Sequence, residues 1–307
     1  MGRWRREYFA QPAPHSSMYL VRSQFANERW NEWTGPQALA GESCWSLPAS
    51  AVTQDGSQRL SSIDPLAVNS FIFNRCMASY GFGVIRNFSL DTAQHQTEFV
   101  CGTLMRVLQR RFVIHPQGQK GLLCTSISAD GSPPQALPPH TDASHILCLF
   151  CIEEGVGGSS MLSSAILLHR MLQEEFPNEL AHLRRSWRFH RGTRPGAPFF
   201  QWPIFRDCPN FGLSAFFLPN TLRDTPRLCG FEYSQEEISA LNIFTEIAIK
   251  NSCLIPLKRG DMLFLNNKKV LHGREQYSEP KLSPPRTYLR LWLNLLPSEL
   301  ADTSSAY

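Results

Sequence analysis

The sequence lacks the features of membrane-spanning, secreted and nucleic-acid-binding proteins. No apolar run reaches the roughly 18 residues that a transmembrane helix needs. The first residues, MGRWRREYFAQPAPHSS, are basic but contain no apolar core of the kind found in secretory signals. The net charge of +4 is spread along the chain, without a Lys/Arg block interleaved with aromatics. We therefore expect a cytoplasmic protein that acts on a small molecule and binds neither nucleic acid nor a membrane.

The cysteines do not form a disulfide framework in the sequence. There are nine, an odd number, and most of them lie inside apolar runs, as Cys76, Cys124, Cys148 and Cys253 do. Cys148-x-x-Cys151 has no second Cys-x-x-Cys to complete a zinc site. This usage predicts reduced thiols packed in the core.

The 307 residues, 42% of them hydrophobic, fit one large domain with embellishments. We expect an irregular N-terminal arm over 1–60, a single domain over 61–300 and a short tail over 301–307. Helical periodicity predicts helices over 63–80, 92–111, 164–176 and from the N-cap Ser234 to Lys250. Apolar runs predict strands within 81–88, 146–152, 253–257, 262–265 and 288–294. Together they indicate an α+β fold with a mainly antiparallel sheet or barrel and helices on one side. The aromatic, proline-rich residues 189–232 are predicted to be a loop-rich lid.

A possible metal site lies in LPPHTDASHILCLFC, residues 137–151. Residues two apart in a strand point to the same face, so His140 and Asp142 can converge on one point. An imidazole nitrogen and a carboxylate oxygen that converge can hold a metal. An isolated His-x-Asp is more often a surface pair or an ordinary hydrogen bond than a metal site, so the pair needs a third ligand.

The stretch GDMLFLNNKKVLHGREQY offers a third ligand in His272. A turn at Gly260 opens an apolar strand, and His272 is predicted just beyond a strand end, where a second strand could bring it to the first pair. Considered alone, His272 fits a core or turn histidine better than a metal ligand. Further on, PPRTYLRLWL places Arg286 and Arg290 four residues apart, on one side of a predicted strand. Arginine is rarely buried without an anion to pair with, so both suggest carboxylate recognition.

In this order, His-x-Asp, Gly-Gly-x-Ser, a distal His and Arg-x-x-x-Arg resemble the taurine dioxygenase/clavaminate synthase-like family of Fe(II)- and 2-oxoglutarate-dependent oxygenases. The resemblance runs from about residue 80 to residue 294 and includes GFGVIRNF, HTD, GGSSMLSSA and NNKKVLHGR. It implies a double-stranded β-helix, also called a jelly roll or cupin-like core, of mainly antiparallel strands with flanking helices.

The resemblance also implies the roles of the residues and the cofactors. His140, Asp142 and His272 would be a facial triad on Fe(II), an arrangement that leaves positions open for 2-oxoglutarate and O2. Arg286 and Ser160 would hold the 5-carboxylate of 2-oxoglutarate. Arg290 matches a position that holds an acidic substrate group in several members; local pairing with an acid such as Asp224, Glu232 or Glu275 is the alternative.

The chain departs from the family pattern near the expected substrate pocket. Pro139 replaces an aromatic residue there, and the segment after Asp142 is shorter. Within NNKKVLHGR, Lys268 stands where the family has an arginine. The expected activity is hydroxylation, desaturation or ring closure at an unactivated C–H of a small, acid-bearing, amino-acid-derived or natural-product metabolite, with release of succinate and CO2. A metal-binding regulatory protein of the same fold and a zinc hydrolase are the alternatives; the hydrolase leaves Arg286 and Ser160 without a role.

Overall fold

The computed structural model of the protein describes residues 44–45, 58–59, 64–73, 76, 81–86, 88–89, 96–109, 111–117, 122–128, 135–191, 194–196, 198–208, 211–278 and 285–296. Most of the predicted N-terminal arm and the whole of the predicted 301–307 tail lie outside these residues. The helices are α1 (Pro65–Ile72), α2 (Gln96–Leu108), α3 (Ala165–Glu175), α4 (Pro177–Leu183), α5 (Pro219–Cys229) and α6 (Gln235–Lys250). The strands are β1 (Cys44–Trp45), β2 (Gln58–Arg59), β3 (Phe82–Ile85), β4 (Phe88–Ser89), β5 (Phe112–His115), β6 (Cys124–Ser128), β7 (Leu137–His140), β8 (Ile146–Glu153), β9 (Val156–Gly157), β10 (Ser160–Ser164), β11 (Ser186–His190), β12 (Phe199–Pro203), β13 (Phe205–Cys208), β14 (Gly212–Ala215), β15 (Cys253–Ile255), β16 (Met262–Asn266), β17 (Val270–Arg274), β18 (Tyr277–Ser278) and β19 (Thr287–Leu295).

Two main sheets form the core. The larger has the order β1-β3-β16-β8-β19-β5, with β6 also beside β19, and the smaller has the order β15-β10-β17-β7. The strand pairs within both are antiparallel apart from β1 with β3. A buried apolar cluster joins them, with Leu147 and Leu263 from the larger sheet and Leu162 and Val270 from the smaller. The predicted α+β jelly-roll core of mainly antiparallel strands is confirmed.

Helices cover the outer faces of both sheets, so the expectation of helices on one side only is wrong. α1 and α2 pack on the larger sheet, and α3 and α6 pack on the smaller one. Strand β8 shows why both faces need cover. Its Cys148 and Phe150 lie in the cluster beneath the helices, while Leu147 and Cys151 lie between the sheets. A strand buried on both faces has a continuous apolar sequence, as ILCLFCI does.

The predicted helix starts agree with the structure where a side chain caps the helix. Ser234 accepts a hydrogen bond from the backbone N–H of Glu237, whose carboxylate accepts one from the Ser234 backbone N–H. Ser164 caps α3 by accepting a bond from the Leu167 N–H. Two other ends differ from the prediction: α1 begins after the N-cap Asp64 rather than at residue 63, and α2 ends at Leu108 rather than at residue 111. The predicted stretches 77–80 and 92–95 lie outside the described residues. Helical periodicity alone places helix ends poorly.

Residues 189–232 are not loop-rich, and that part of the prediction is wrong. Strands β11 and β12 form one hairpin, β13 and β14 form another, and α5 follows. Aromatic pairs bind the first hairpin across its strands, with the rings of Phe189 and Phe200 stacked at 5.2 Å. Pro219 lies in the first turn of α5, where proline is favoured, whereas Pro226 lies inside that helix.

The cysteine prediction is correct for the buried thiols and wrong for one partly buried pair. Cys76, Cys148 and Cys253 are buried and free, and burial raises the pKa of the Cys253 thiol to about 12. Cys124 instead forms a disulfide with Cys101, which joins β6 to α2. No sequence pattern brings these two residues together, because their contact depends on how α2 lies across the sheet. Among the described residues, no helix is both long and apolar enough to cross a membrane.

Candidate metal centre

His140 and Asp142 lie at the point where the chain leaves the smaller sheet for the larger one. His140 ends β7, whereas Asp142 lies in the connection to β8, so the two do not share a strand as predicted. The prolines before His140 are tolerated because β7 is the edge strand of its sheet. The backbone N–H of Asp142 donates to Oδ1 of Asn267 at 3.2 Å, which fixes the bend after the strand.

His272 lies inside β17, not beyond a strand end, and its Cα is paired with that of His140 on β7. Paired residues in antiparallel strands place their side chains on one face, and the two rings are 4.2 Å apart between centroids. The Nε2 atom of His272 is 3.8 Å from Oδ2 of Asp142. The structure therefore brings the three predicted residues together, with one ligand atom from each lying within 4.8 Å of the others.

Both imidazoles are held in the form that binds metals. Burial lowers the pKa of His140 and lowers that of His272 well below its usual range. Nδ1 of His140 lies 3.0 Å from the Pro138 carbonyl, which leaves its Nε2 free to act as a ligand. Two neutral nitrogen donors and one carboxylate are a donor set that suits Fe(II), with coordination positions left open.

The carboxylate of Asp142 has a further neighbour that the sequence did not suggest. Nε1 of Trp292, on β19 of the larger sheet, donates to Oδ2 of Asp142 at 2.8 Å. A sequence signal was present, since Trp292 follows Arg290 by two residues and so faces the same side of the strand. Its partner could not be predicted from the sequence, because the bond joins β19 to the connection between the two sheets.

Arg286 and Ser160 are both buried, with 8% and 5% of their surface exposed. The guanidinium carbon of Arg286 lies 3.8 Å from the centroid of the Tyr288 ring. Its Nε atom has no hydrogen-bond partner among the described residues, although the atom is buried. A buried cation with an unpaired donor is costly unless an anion binds there. A β-carbon on Gly158 would lie 3.4 Å from that Nε, an ordinary contact, but only 2.8 Å from Cβ of Tyr277, so glycine leaves space for the Tyr277 side chain beside the guanidinium.

Arg290 has different surroundings. Its Nε donates to Oε1 of Gln117 at 2.8 Å, and the Gln117 amide donates back to the Arg290 carbonyl at 2.9 Å. Its terminal nitrogen Nη1 lies 3.8 Å from Oδ2 of Asp142. The acidic neighbour is thus the candidate metal ligand rather than Asp224, which lies beside Arg223. Arg286 and Arg290 are also not at equivalent positions, because the pairing of β19 with β8 shifts register between Thr287 and Tyr288.

The fold and this cluster define the class of protein, a jelly roll with a His-x-Asp…His centre between its sheets. The model of the taurine catabolism dioxygenase TauD, TfdA family matches residues 60–292. The chain belongs to this family.

Two curated relatives are similar over part of their length. A taurine hydroxylase-like protein, SAT17, of Stachybotrys chartarum is 33% identical over 172 residues, covering 54% of this chain and 43% of the relative. FR-33289 synthase of Streptomyces rubellomurinus is 33% identical over 175 residues, covering 52% of this chain and 50% of the relative. The matches thus span about half the length of these relatives.

Solved structures share the fold at low sequence identity. Asparagine oxygenase in complex with Fe(II), 3-hydroxyasparagine and succinate has a TM-score of 0.61 at 12% identity, covering 82% of this chain and 93% of that one. OrfP, a non-haem iron oxygenase in complex with Fe and α-ketoglutaric acid, has a TM-score of 0.56 at 15% identity, covering 81% and 92%. At these identities, the likeness shows the fold alone.

Proposed function

We propose that the protein is an Fe(II)- and 2-oxoglutarate-dependent dioxygenase that hydroxylates a C–H bond of a small, acid-bearing metabolite. The observation that carries the proposal is the cluster of His140, Asp142 and His272, which lies close to Arg290 in the same jelly roll. Membership of the family supports the same reaction class. Desaturation and ring closure begin from the same C–H bond and remain within the proposal.

The three ligands would hold Fe(II) through Nε2 of each histidine and the carboxylate of Asp142. Iron with 2-oxoglutarate and O2 supplies the oxidising power, and succinate and CO2 are released with the oxidised product. The chain's own part is to keep the imidazoles neutral and the carboxylate oriented, and to exclude water. His272 and Asp142 are each only 7% exposed, which suits that last role.

Arg286 and Ser160 would bind the 5-carboxylate of 2-oxoglutarate. The unpaired Nε of Arg286 supplies a charged donor, and Tyr288 holds the guanidinium from one side. On β10, Ser160 pairs with Arg274 of β17, the strand that carries His272 two residues earlier. The co-substrate would therefore be gripped beside the strand that carries a metal ligand.

The substrate would present its acidic group to Arg290, whose side chain is 29% exposed and whose Nε is fixed by Gln117. Asparagine oxygenase and OrfP were solved with hydroxylated amino acids, which supports a substrate of that size. Residues 189–232 would act as a lid within the single domain. Phe217 of this segment exchanges hydrogen bonds with Thr141, the residue between the two ligands, at 2.8 and 2.9 Å.

The test is 2-oxoglutarate turnover by the purified protein with Fe(II), ascorbate and O2. We expect succinate and CO2 even without the true substrate, since uncoupled decay needs only the metal and co-substrate sites. A mass-spectrometric screen of carboxylic acids for the gain of one oxygen atom would then identify the substrate. Zinc-dependent ester cleavage without succinate would instead identify a hydrolase, and metal binding with neither activity would identify a regulatory protein.

A further inference from the structure

Asp142 is held from two directions, through its backbone and through its carboxylate. Its backbone N–H is bonded to Asn267, which is fully buried and precedes β17. Its Oδ2 atom accepts the indole N–H of Trp292 from the opposite sheet, at 2.8 Å. Arg290, two residues earlier on β19, is further away at 3.8 Å from the same oxygen. Trp292 is thus the side chain of β19 that makes a direct hydrogen bond to this carboxylate.

The indole itself is restrained. The ring of Trp292 stacks on His115 of the neighbouring strand β5, with centroids 6.3 Å apart and an angle of 15° between the ring planes. The guanidinium of Arg290 lies 5.2 Å from the ring centroid on the same strand. A donor on a fixed ring sets the direction of the bond that it makes, so it also orients the carboxylate that accepts it.

We propose that Trp292 is a positioning residue that orients the Asp142 carboxylate for the metal. This inference rests on the proposed function, because it needs Asp142 to be a ligand. Groups that hydrogen-bond a metal ligand typically change metal affinity by about ten- to 100-fold. The indole N–H is the chemically important part of Trp292, and the ring is its support.

The experiment measures the dissociation constant of Co(II) by absorbance titration of the metal-free protein, without co-substrate. Trp292→Phe keeps an aromatic ring but removes the N–H, and we expect Co(II) to bind about ten- to 100-fold more weakly. Trp187→Phe is the matched control. Trp187 is buried, whereas Trp292 is partly buried. Nε1 of Trp187 likewise donates a hydrogen bond, to the His182 carbonyl at 3.0 Å, but Trp187 lies in the cluster outside the smaller sheet. We expect Trp187→Phe to leave Co(II) affinity unchanged.

A double-mutant cycle separates positioning from packing. In an Asp142→Ala background, Trp292→Phe has no carboxylate left to orient, so we expect it to cause no further loss of Co(II) affinity. An equal loss in both backgrounds would overturn the inference, and so would an unchanged affinity of Trp292→Phe in the otherwise wild-type protein. If the wild-type protein binds no Co(II), or if Asp142→Ala binds it equally well, the proposed metal site itself is wrong.

Discussion

The two sheets differ in what they bring to the site. Strands β7 and β17 of the smaller sheet carry two imidazoles whose pKa values are lowered by burial. Strand β19 of the larger sheet carries Arg290 and Trp292, which face the metal centre as a cation and a hydrogen-bond donor. Asp142 lies in the connection between the sheets and contacts both.

This division puts the neutral ligands on one sheet and the cations on the other. Neutral nitrogen donors can share a metal at close range, whereas a guanidinium among them would repel the cation. Placing the arginines on or beside the opposite strand leaves them available to anions that approach the metal. Asp142 supplies the negative charge where the two regions meet.

Replacing Asp142, which lies in the connection between the two sheets, should have the largest effect. Asp142→Ala removes the anionic ligand of the cluster, so we expect 2-oxoglutarate-coupled product formation to be lost. Asp207→Ala is a suitable control, because Asp207 is exposed and pairs only weakly with Arg184 at 3.3 Å. Full coupled turnover in Asp142→Ala would show that the three residues are not the metal site.

Arg286→Ala should have the next largest effect, on the co-substrate alone. A charge-assisted hydrogen bond contributes about 1.5–3 kcal/mol, so we expect 2-oxoglutarate to bind roughly ten- to 150-fold more weakly. The measurement is anaerobic titration of the metal-loaded protein with 2-oxoglutarate. Ser160→Ala should have a smaller effect. It should make the free energy of 2-oxoglutarate binding less favourable by about 1 kcal/mol, the contribution of a hydrogen bond from a neutral hydroxyl. An unchanged affinity in Arg286→Ala would make Arg290 the next candidate for this carboxylate.

Arg290→Ala tests whether the cation nearer to Asp142 serves the substrate. We expect the substrate KM to rise by about tenfold, the lower end for a charged hydrogen bond because the side chain is partly exposed. Uncoupled 2-oxoglutarate decay and the melting temperature should change little. A structural role through Gln117 would appear instead as a joint loss of thermal stability and of every activity.

The sequence predicted the three candidate metal ligands better than it predicted the residues that contact them. His140, Asp142 and His272 were chosen from side-chain chemistry and order along the chain, and the structure brings them together, although only His140 and His272 lie in strands. The contacts of Arg290 and Trp292 depend on the register between β8 and β19, which includes a shift that no local pattern shows. Contacts between residues that are far apart in the sequence could therefore not be predicted.

Gly158→Ala tests whether crowding beside the Arg286 guanidinium weakens 2-oxoglutarate binding. Gly158 has a φ of 69°, and an added β-carbon would lie 2.8 Å from Cβ of Tyr277 and 3.4 Å from Nε of Arg286. The Tyr277 side chain would have to move, and its ring centroid lies 5.6 Å from the guanidinium carbon of Arg286. A resulting small shift of the guanidinium should cost about 1 kcal/mol, so we expect a several-fold weaker affinity for 2-oxoglutarate.

Gly196→Ala is the matched control for that change. Gly196 has a similar φ of 77° and no atom within 4 Å of the added carbon. Both variants bear the backbone strain of a positive φ and should lose some thermal stability. A similar loss of 2-oxoglutarate affinity in both would assign the effect to strain rather than to crowding beside Arg286.

The smallest expected effect concerns a second link between the sheet connection and β19. His145 lies three residues after Asp142, and its Nδ1 accepts the backbone N–H of Leu295 at 3.1 Å, which requires a neutral ring. Burial, with the nearby Lys268 charge, lowers the pKa of His145 from 6.5 to about 4. Between these two values the unfolded chain binds a proton that the folded protein does not, so the contribution to stability is complete above pH 6.5 and decreases as the pH falls toward 4. His145→Gln keeps a hydrogen-bond acceptor but does not titrate. From pH 7 to pH 5, we therefore expect the melting temperature of the metal-free variant to fall less steeply than that of the metal-free wild-type protein. The other histidines contribute equally to both proteins. Because the ring is partly exposed, solvent weakens the effect, and identical slopes in the two proteins would show that His145 does not link β19 to the connection through its neutral form.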